Sequence, residues 1–159
     1  MIKIKPSPTA DSRTAIGEVS KEQLLKSSKQ HIGDVSQALE YFSEKLEEAA
    51  GKHDYTKIDR AGIDAFYDAF SKRLTGDAFK AEPWFRRHVT EERHHLNDHC
   101  PEDVNLIDVL ERIADITMAG MARSGKVFDD TLSAEILQKA YQNTIKLLLE
   151  NIVVVDEAE

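Results

Sequence analysis

All six histidines of this 159-residue chain fall between residues 31 and 99. They are His31, His53, His88, His94, His95 and His99, and carboxylates accompany them: Asp54 directly follows His53, and Asp115 lies further along. Neutral imidazoles and ionised carboxylates converging from separate elements are what a transition-metal ion requires. Adjacent residues at the start of a helix point about 100° apart. His53 and Asp54 can therefore serve two ions, or the carboxylate can bridge while the imidazole holds one. Taken singly, each residue has a plainer account. A lone histidine such as His31 is more often a hydrogen-bonded core residue, and His53-Asp54 could be a helix cap beside a surface carboxylate. Taken together in this order, with Lys57 close behind Asp54, they predict a metal site with His31, His53, Asp54, His88, His94, His95 and Asp115 as its ligands. His99 reads as a solvated loop residue. Asp108, two helical turns before Asp115, reads equally as a group that orients a ligating histidine or as a solvent-facing helix charge. Trp84, near the histidines, reads either as core or as a platform for a nucleobase.

The elements that must position these residues are helical. Ser20 followed by Gln23 forms a capping box, and Ile32, Val35, Leu39, Phe42 and Leu46 recur at helical spacing up to Gly51. Ile63, Phe66, Tyr67 and Phe70 give a short amphipathic helix that ends before Gly76. Pro83 opens a third helix, on which Trp84, His88, Glu91 and His95 share a face before a break near Pro101. A fourth spans about 104–122, with Leu106, Leu110, Ile113 and Thr117 on one side and Asp108, Glu111 and Asp115 on the adjoining side. Gly125 and Asp129-Asp130 mark a loop. A fifth runs from about Leu132 to Ile152, with Ile136, Ala140, Ile145, Leu148 and Ile152 facing inward. Four prolines and seven glycines, mostly between these segments, fit helices better than a turn-rich β fold. The fold expected is all-α: one domain of five to six helices over 20–153. An arm precedes it at 1–19, where Ile2-Lys3-Ile4 could dock as a strand, and an acidic tail follows at 154–159.

The composition narrows the partners. An apolar fraction of 41% with 31% charged residues is ordinary for a globular domain. The net charge is −8, and no Lys/Arg stripe is present to neutralise phosphates along a duplex, so bulk nucleic-acid binding is not expected. No apolar run reaches bilayer length and the opening residues lack a basic-then-apolar pattern, so neither a membrane span nor a signal peptide is expected. The single cysteine, Cys100, excludes an internal disulfide and agrees with a cytoplasmic setting. The sequence leaves a homo-oligomer open.

The order His31, His53-Asp54, then a distant Asp115 resembles the HD superfamily of metal-dependent phosphohydrolases. His53-Asp54-Tyr55-Thr56-Lys57 resembles the family's HDxxK stretch, and His94-His95 resembles the added ligands of its binuclear members. Arg112-Ile113-Ala114-Asp115 is similar to the helix that delivers the last aspartate. The chain also resembles an uncharacterised family of phage and bacterial genomes, from about His31 to Leu148. That likeness is carried by His31 with Val35, His53-Asp54 with Lys57, Trp84 with His88, and His94-His95. It continues through Leu106 to Glu111, Asp115 and Asn143-Thr144. Glu91-Glu92 departs from that family's His-Asn, and its Pro-Glu is shifted to Pro101-Glu102. The first resemblance implies an HD-like helical fold and hydrolysis of a nucleotide or small phosphate ester in the cytoplasm of a bacterium or phage-infected host. One or two ions of Fe, Mn, Co, Ni or Zn would activate a hydroxide nucleophile. Asp54 would bridge the ions, Lys57 would face the substrate phosphate, and Trp84 would contact the substrate.

Two other readings compete. Glu91-x-x-His94 and Glu92-x-x-His95 fit the spacing of ferritin-like di-iron redox bundles, but a second such motif is missing and His53-Asp54 is left without a role. A non-catalytic helical binding module with a structural metal site is the third. A zinc site of His94, His95, His99 and Cys100 has suitable ligand types but crowded spacing.

Overall fold

The computed structural model describes residues 1–6 and 17–155. Most of the expected arm (7–16) and the end of the acidic tail (156–159) lie outside the described residues. The described part carries helices α1 (Lys21–Lys52), α2 (Tyr55–Ile58), α3 (Gly62–Ser71), α4 (Gly76–Lys80), α5 (Pro83–Glu91), α6 (Leu106–Ser124) and α7 (Ala134–Leu149), with two short strands, β1 (Ile2–Ile4) and β2 (Ile152–Val154). The all-α expectation holds. Contacts divide the chain into two units, one of 1–45 with 145–159 and one of 46–144.

In the first unit, Ser20 and Gln23 form the capping box that opens α1: Gln23 N donates to Ser20 Oγ at 3.2 Å, and Ser20 N donates to Gln23 Oε1 at 2.9 Å. Strand β1 pairs in parallel with β2, Ile2 opposite Ile152, so the docked-strand reading of Ile2-Lys3-Ile4 is the one observed. The last helix stops at Leu149 instead of reaching Ile152. Beyond it the Asn151 side chain turns back to donate to Leu147 O and to the buried Tyr41 hydroxyl, each at 2.9 Å. This frees Ile152 to enter the strand. Of the apolar residues expected inward on the last helix, Ala140 is buried whereas Ile145 is 45% exposed.

The second unit packs Leu96, Val104, Val109 and Ala140 together, with Cys100, Leu106, Leu132 and Ile136 around them. Two features depart from the periodicity. Helix α5 ends at Glu91 because Glu92 adopts φ −88°, ψ 107° and turns its carboxylate onto the His53-Asp54 segment. His94 and His95 therefore lie in the following turns and not on the helix face with His88. On α6 the buried face is Ile107, Asp108, Val109, Arg112 and Gly120, while Leu110 and Ile113 are about half exposed. The reason is tertiary. Arg112 reaches back to the His94 carbonyl at 3.1 Å and pairs with Asp130, and Gly120 admits the 126–128 backbone, where a Cβ would meet Lys126 O at 2.5 Å. The start of α6 is tethered by Asn143, which donates to Glu102 O and Val104 O, and by the Thr144 hydroxyl, which accepts from Leu106 N.

Candidate metal centre

The second unit brings His53, Asp54, His88, His94, His95 and Asp115 together, joined by Glu111. Three trios have ligand atoms all within 4.8 Å of one another: His53, Asp54 and Asp115; Asp54, His88 and His95; and His53, His94 and Glu111. Ligand atoms held about 2.1 Å from one ion stand about 3.0 Å apart at right angles and about 3.4 Å apart in a tetrahedron. The observed separations bracket those values. His53 Nε2 lies 3.6 Å from Asp54 Oδ2 and 3.8 Å from Asp115 Oδ1. On the other side of the same carboxylate, His88 Nε2 lies 3.6 Å and His94 Nε2 3.8 Å from Asp54 Oδ1. His88 Nε2 and His95 Nε2 are 2.8 Å apart. Asp54 thus turns Oδ1 toward His88 and His94 and Oδ2 toward His53, with the Lys57 ammonium paired to that second oxygen.

The backbone and the surrounding side chains fix these directions. Asp54 sits in the left-handed region at φ 57°, ψ 23°, an uncommon conformation for a residue with a Cβ. It is held there by Glu92, only 4% exposed, which accepts from Asp54 N at 3.1 Å and from Thr56 N at 2.9 Å. Glu92 Oε1 also accepts the Thr56 hydroxyl proton at 2.7 Å. The hydroxyl has one proton, so at its 2.7 Å contact with His88 Nδ1 it can only accept. His88 therefore carries its proton on Nδ1 and turns an unprotonated Nε2 toward Asp54. Glu111 Oε1 lies 2.9 Å from His53 Nδ1 and accepts from it, which frees His53 Nε2 in the same way. Carboxylates that hold the outer nitrogen of ligating histidines are a regular part of metal sites. Gly62 makes room for this turn, since a Cβ there would sit 1.8 Å from Thr56 O.

Electrostatics favour the neutral, ligating form at two of the histidines. Burial first, and neighbouring cations second, push His88 down to about 3 and His95 down to about 4, so both are neutral at pH 7. His94 behaves oppositely: burial would lower it, but Glu111, Asp115 and Asp54 outweigh burial and raise it. Burial would likewise raise Asp54 and Glu111, but Lys57 keeps the first ionised and His94 with His53 keep the second. His94 Nδ1 comes within 2.9 Å of Glu111 Oε1, but off the line of a hydrogen bond. Both ring nitrogens of His94, and Oδ1 of Asp54, are buried with no hydrogen-bond partner. Buried polar groups are almost always paired, so these three orphans in the middle of the cluster call for a bound group.

The remaining expected site residues fall as follows. His31 is exposed on the stretch of α1 in the first unit and belongs to none of the three trios. Lys57 pairs with Asp54 Oδ2. Trp84 is sandwiched between Phe66 (centroids 4.5 Å apart) and His88 (4.9 Å), and its Nε1 donates to Thr56 O at 3.4 Å. With both faces occupied, it supports His88 and is not a free stacking platform. Asp108 does not orient a histidine. It caps α6 by accepting from Asn105 N and receives Arg93 through both oxygens. His99 is exposed, and Cys100 packs against the apolar cluster. The ferritin-like spacing is spent elsewhere: Glu91 binds Arg87 and Tyr55, and Glu92 props Asp54.

Two clefts open onto the cluster. One, of about 550 Å³, has His53, Asp54, Glu111 and Asp115 together with aliphatic walls from Leu46, Leu110 and Met118. The other, of about 420 Å³, reaches His88 and His95. Lys57, Asp115 and Arg123 line both. Volumes in this range suit small-molecule ligands. Among the described residues no helix is long and apolar enough to cross a membrane. The sequence model of a family described as "Family of unknown function (DUF5662)" matches residues 20–154, so the chain belongs to that family. No curated protein and no solved structure matches it.

Proposed function

We propose that this member of a family of unknown function is a metal-dependent phosphohydrolase acting on a nucleotide or other small phosphate ester. One observation carries the reading: Asp54 Oδ1 and both nitrogens of His94 are buried and unpartnered where three ligand trios meet. The HD-like order of His53-Asp54, the paired histidines and Asp115 supports it.

In this reading His53, Asp54 and Asp115 would hold one ion and Asp54, His88 and His95 a second, with His94 Nε2 beside them, 3.8 Å from Asp54 Oδ1. The nitrogen and carboxylate donors suit Fe, Mn, Co, Ni or Zn. A divalent ion there supplies Lewis acidity and lowers the pKa of water towards neutrality. Glu111 and the Thr56–Glu92 pair keep the histidine Nε2 atoms directed inward. Lys57, paired with Asp54 and lining both clefts, is placed to offset negative charge growing on a phosphate. The net reaction joins a water oxygen to phosphorus, breaks the phosphorus–ester oxygen bond and moves one of the water protons onto the departing alcohol oxygen.

The test is hydrolysis of a panel of phosphate esters by chelator-treated protein resupplied with Mn, Co, Ni, Fe or Zn, beside Asp54→Ala. Turnover that depends on metal and vanishes in Asp54→Ala is expected. Turnover that survives Asp54→Ala contradicts the reading.

A further inference from the structure

Five of the six phenylalanines of the chain, and its single tryptophan, line one cleft. They are Phe66, Phe70, Phe79, Phe85, Phe128 and Trp84, drawn from α3, α4, α5 and the loop after α6. Most of this set forms a contact network: Phe66 lies 6.1 Å from Phe70 between centroids, and Phe79 meets Phe85 edge-on at 5.4 Å. The wall is not sealed as a core would be, since Phe70 is 69% and Phe128 39% exposed around a space of about 420 Å³. The other cleft at the cluster is walled by aliphatic side chains.

Two cations, Lys57 and Arg123, line the same cleft. Lys57 is already paired with Asp54. Arg123 has no carboxylate partner among the described residues, and its guanidinium lies over the Phe128 ring, 5.9 Å from the centroid. It shares this cleft with His88, His95 and Asp115. A guanidinium free of acidic partners, lining the same cleft as metal-ligand side chains, is suited to pair with two oxygens of a phosphate.

Resting on the phosphohydrolase reading, we propose that the phosphate ester taken by this site carries a planar aromatic group. That group lies in the phenylalanine-lined cleft, and the phosphate lies between the Asp54–His88–His95 trio and Arg123. Ring faces favour a flat π system over a saturated ring of equal size, and the cleft joins the ligand cluster, so one molecule can span both.

The experiment measures binding of phenylphosphonate and cyclohexylphosphonate, which the protein cannot hydrolyse at the carbon–phosphorus bond, to metal-loaded protein. Calorimetry and the fluorescence of Trp84 report binding, and metal content is measured on the same samples. Phenylphosphonate should bind about fivefold tighter, the size of one aromatic pairing. Phe70→Ala and Phe128→Ala, at exposed positions, should erase that preference while keeping metal. Arg123→Ala should weaken both phosphonates about tenfold or more with metal unchanged, and Arg123→Lys should restore part of the loss. Equal affinity for the two phosphonates in metal-loaded protein overturns the inference and leaves the metal centre standing, as does unchanged affinity in Arg123→Ala. Protein that takes up no metal overturns the reading beneath it and this inference with it.

Discussion

Replacing Glu92 by glutamine changes one buried atom group and should loosen the whole centre. The Glu92 carboxylate accepts three hydrogen bonds, from Asp54 N, Thr56 N and the Thr56 hydroxyl. In the Glu92→Gln variant the side-chain carbonyl oxygen can keep the two from Thr56, but the amide nitrogen then faces the Asp54 N–H, donor against donor. Hydrogen bonds to a charged partner contribute about 1.5–3 kcal/mol each, and a buried donor left unpaired costs about 1–3 kcal/mol. One such loss, plus weakening of the other two, predicts a destabilisation of about 2–4 kcal/mol. Asp54 also loses the contact that holds its left-handed backbone, and loss of an outer-shell partner typically costs about 10–100-fold in metal affinity. The assay is urea unfolding of chelator-treated Glu92→Gln beside the parent, followed by metal titration of both. Thr56→Val serves as a companion: it keeps the Glu92–Asp54 bond but removes the hydroxyl that fixes the His88 proton, so metal affinity should fall with a smaller loss of stability. Unchanged unfolding and unchanged metal affinity in Glu92→Gln would refute the idea that this carboxylate builds the site.

Three further outcomes are expected. Lys57→Ala should retain its metal, by mass spectrometry, since a divalent ion supplies the charge that Lys57 holds against Asp54, yet lose about 10²-fold in kcat/KM on any ester the parent hydrolyses, because one cation facing the phosphate is gone. Gly62→Ala should destabilise by about 3 kcal/mol or more, seen as a lower Tm, because its Cβ would collide with the Thr56 carbonyl. Metal-free protein should lose stability as pH falls from about 6.5 towards 4. His88 and His95, lowered to about 3 and about 4 in the fold, bind protons more readily when unfolded, and each contributes up to about 1.4 kcal/mol per pH unit in that window. His94, raised in the fold, works in the opposite direction. Stability of metal-free protein that is flat or rising on acidification, followed by chemical denaturation at pH 7 and pH 4.5, would contradict the neutral, buried state of the two lowered histidines.

The ligand types are legible in the sequence because chemistry is local. His53-Asp54, His88, His94-His95 and Asp115 stand out by residue type and order alone. Their placement is less legible. The step of seven from His88 to His95 reads as one helix face, yet α5 ends at Glu91 because Glu92 is drawn into a contact with Asp54, far away in sequence. Glu111 reads only as part of an acidic face, although it lies one turn before Asp115 on α6, where both can reach the same cluster. Asp108 shares that periodicity, and its spacing from Asn105 is a capping-box signature that marks it for the helix start. Trp84 is equally consistent with core or with a ligand platform until Phe66 and His88 are placed on its two faces. The small β pairing and the end of α7 depend on Asn151 and Tyr41 meeting across the length of the chain, which no local period records.

The measurement closest to the central claim is the transition-metal content of protein purified without chelator or affinity tag, by inductively coupled plasma mass spectrometry, beside His53→Ala/Asp54→Ala. One to two ions per chain in the parent, lost in the double variant that still folds by circular dichroism, is the predicted result. No metal in the parent, even after incubation with Mn, Co, Ni, Fe or Zn, would contradict it.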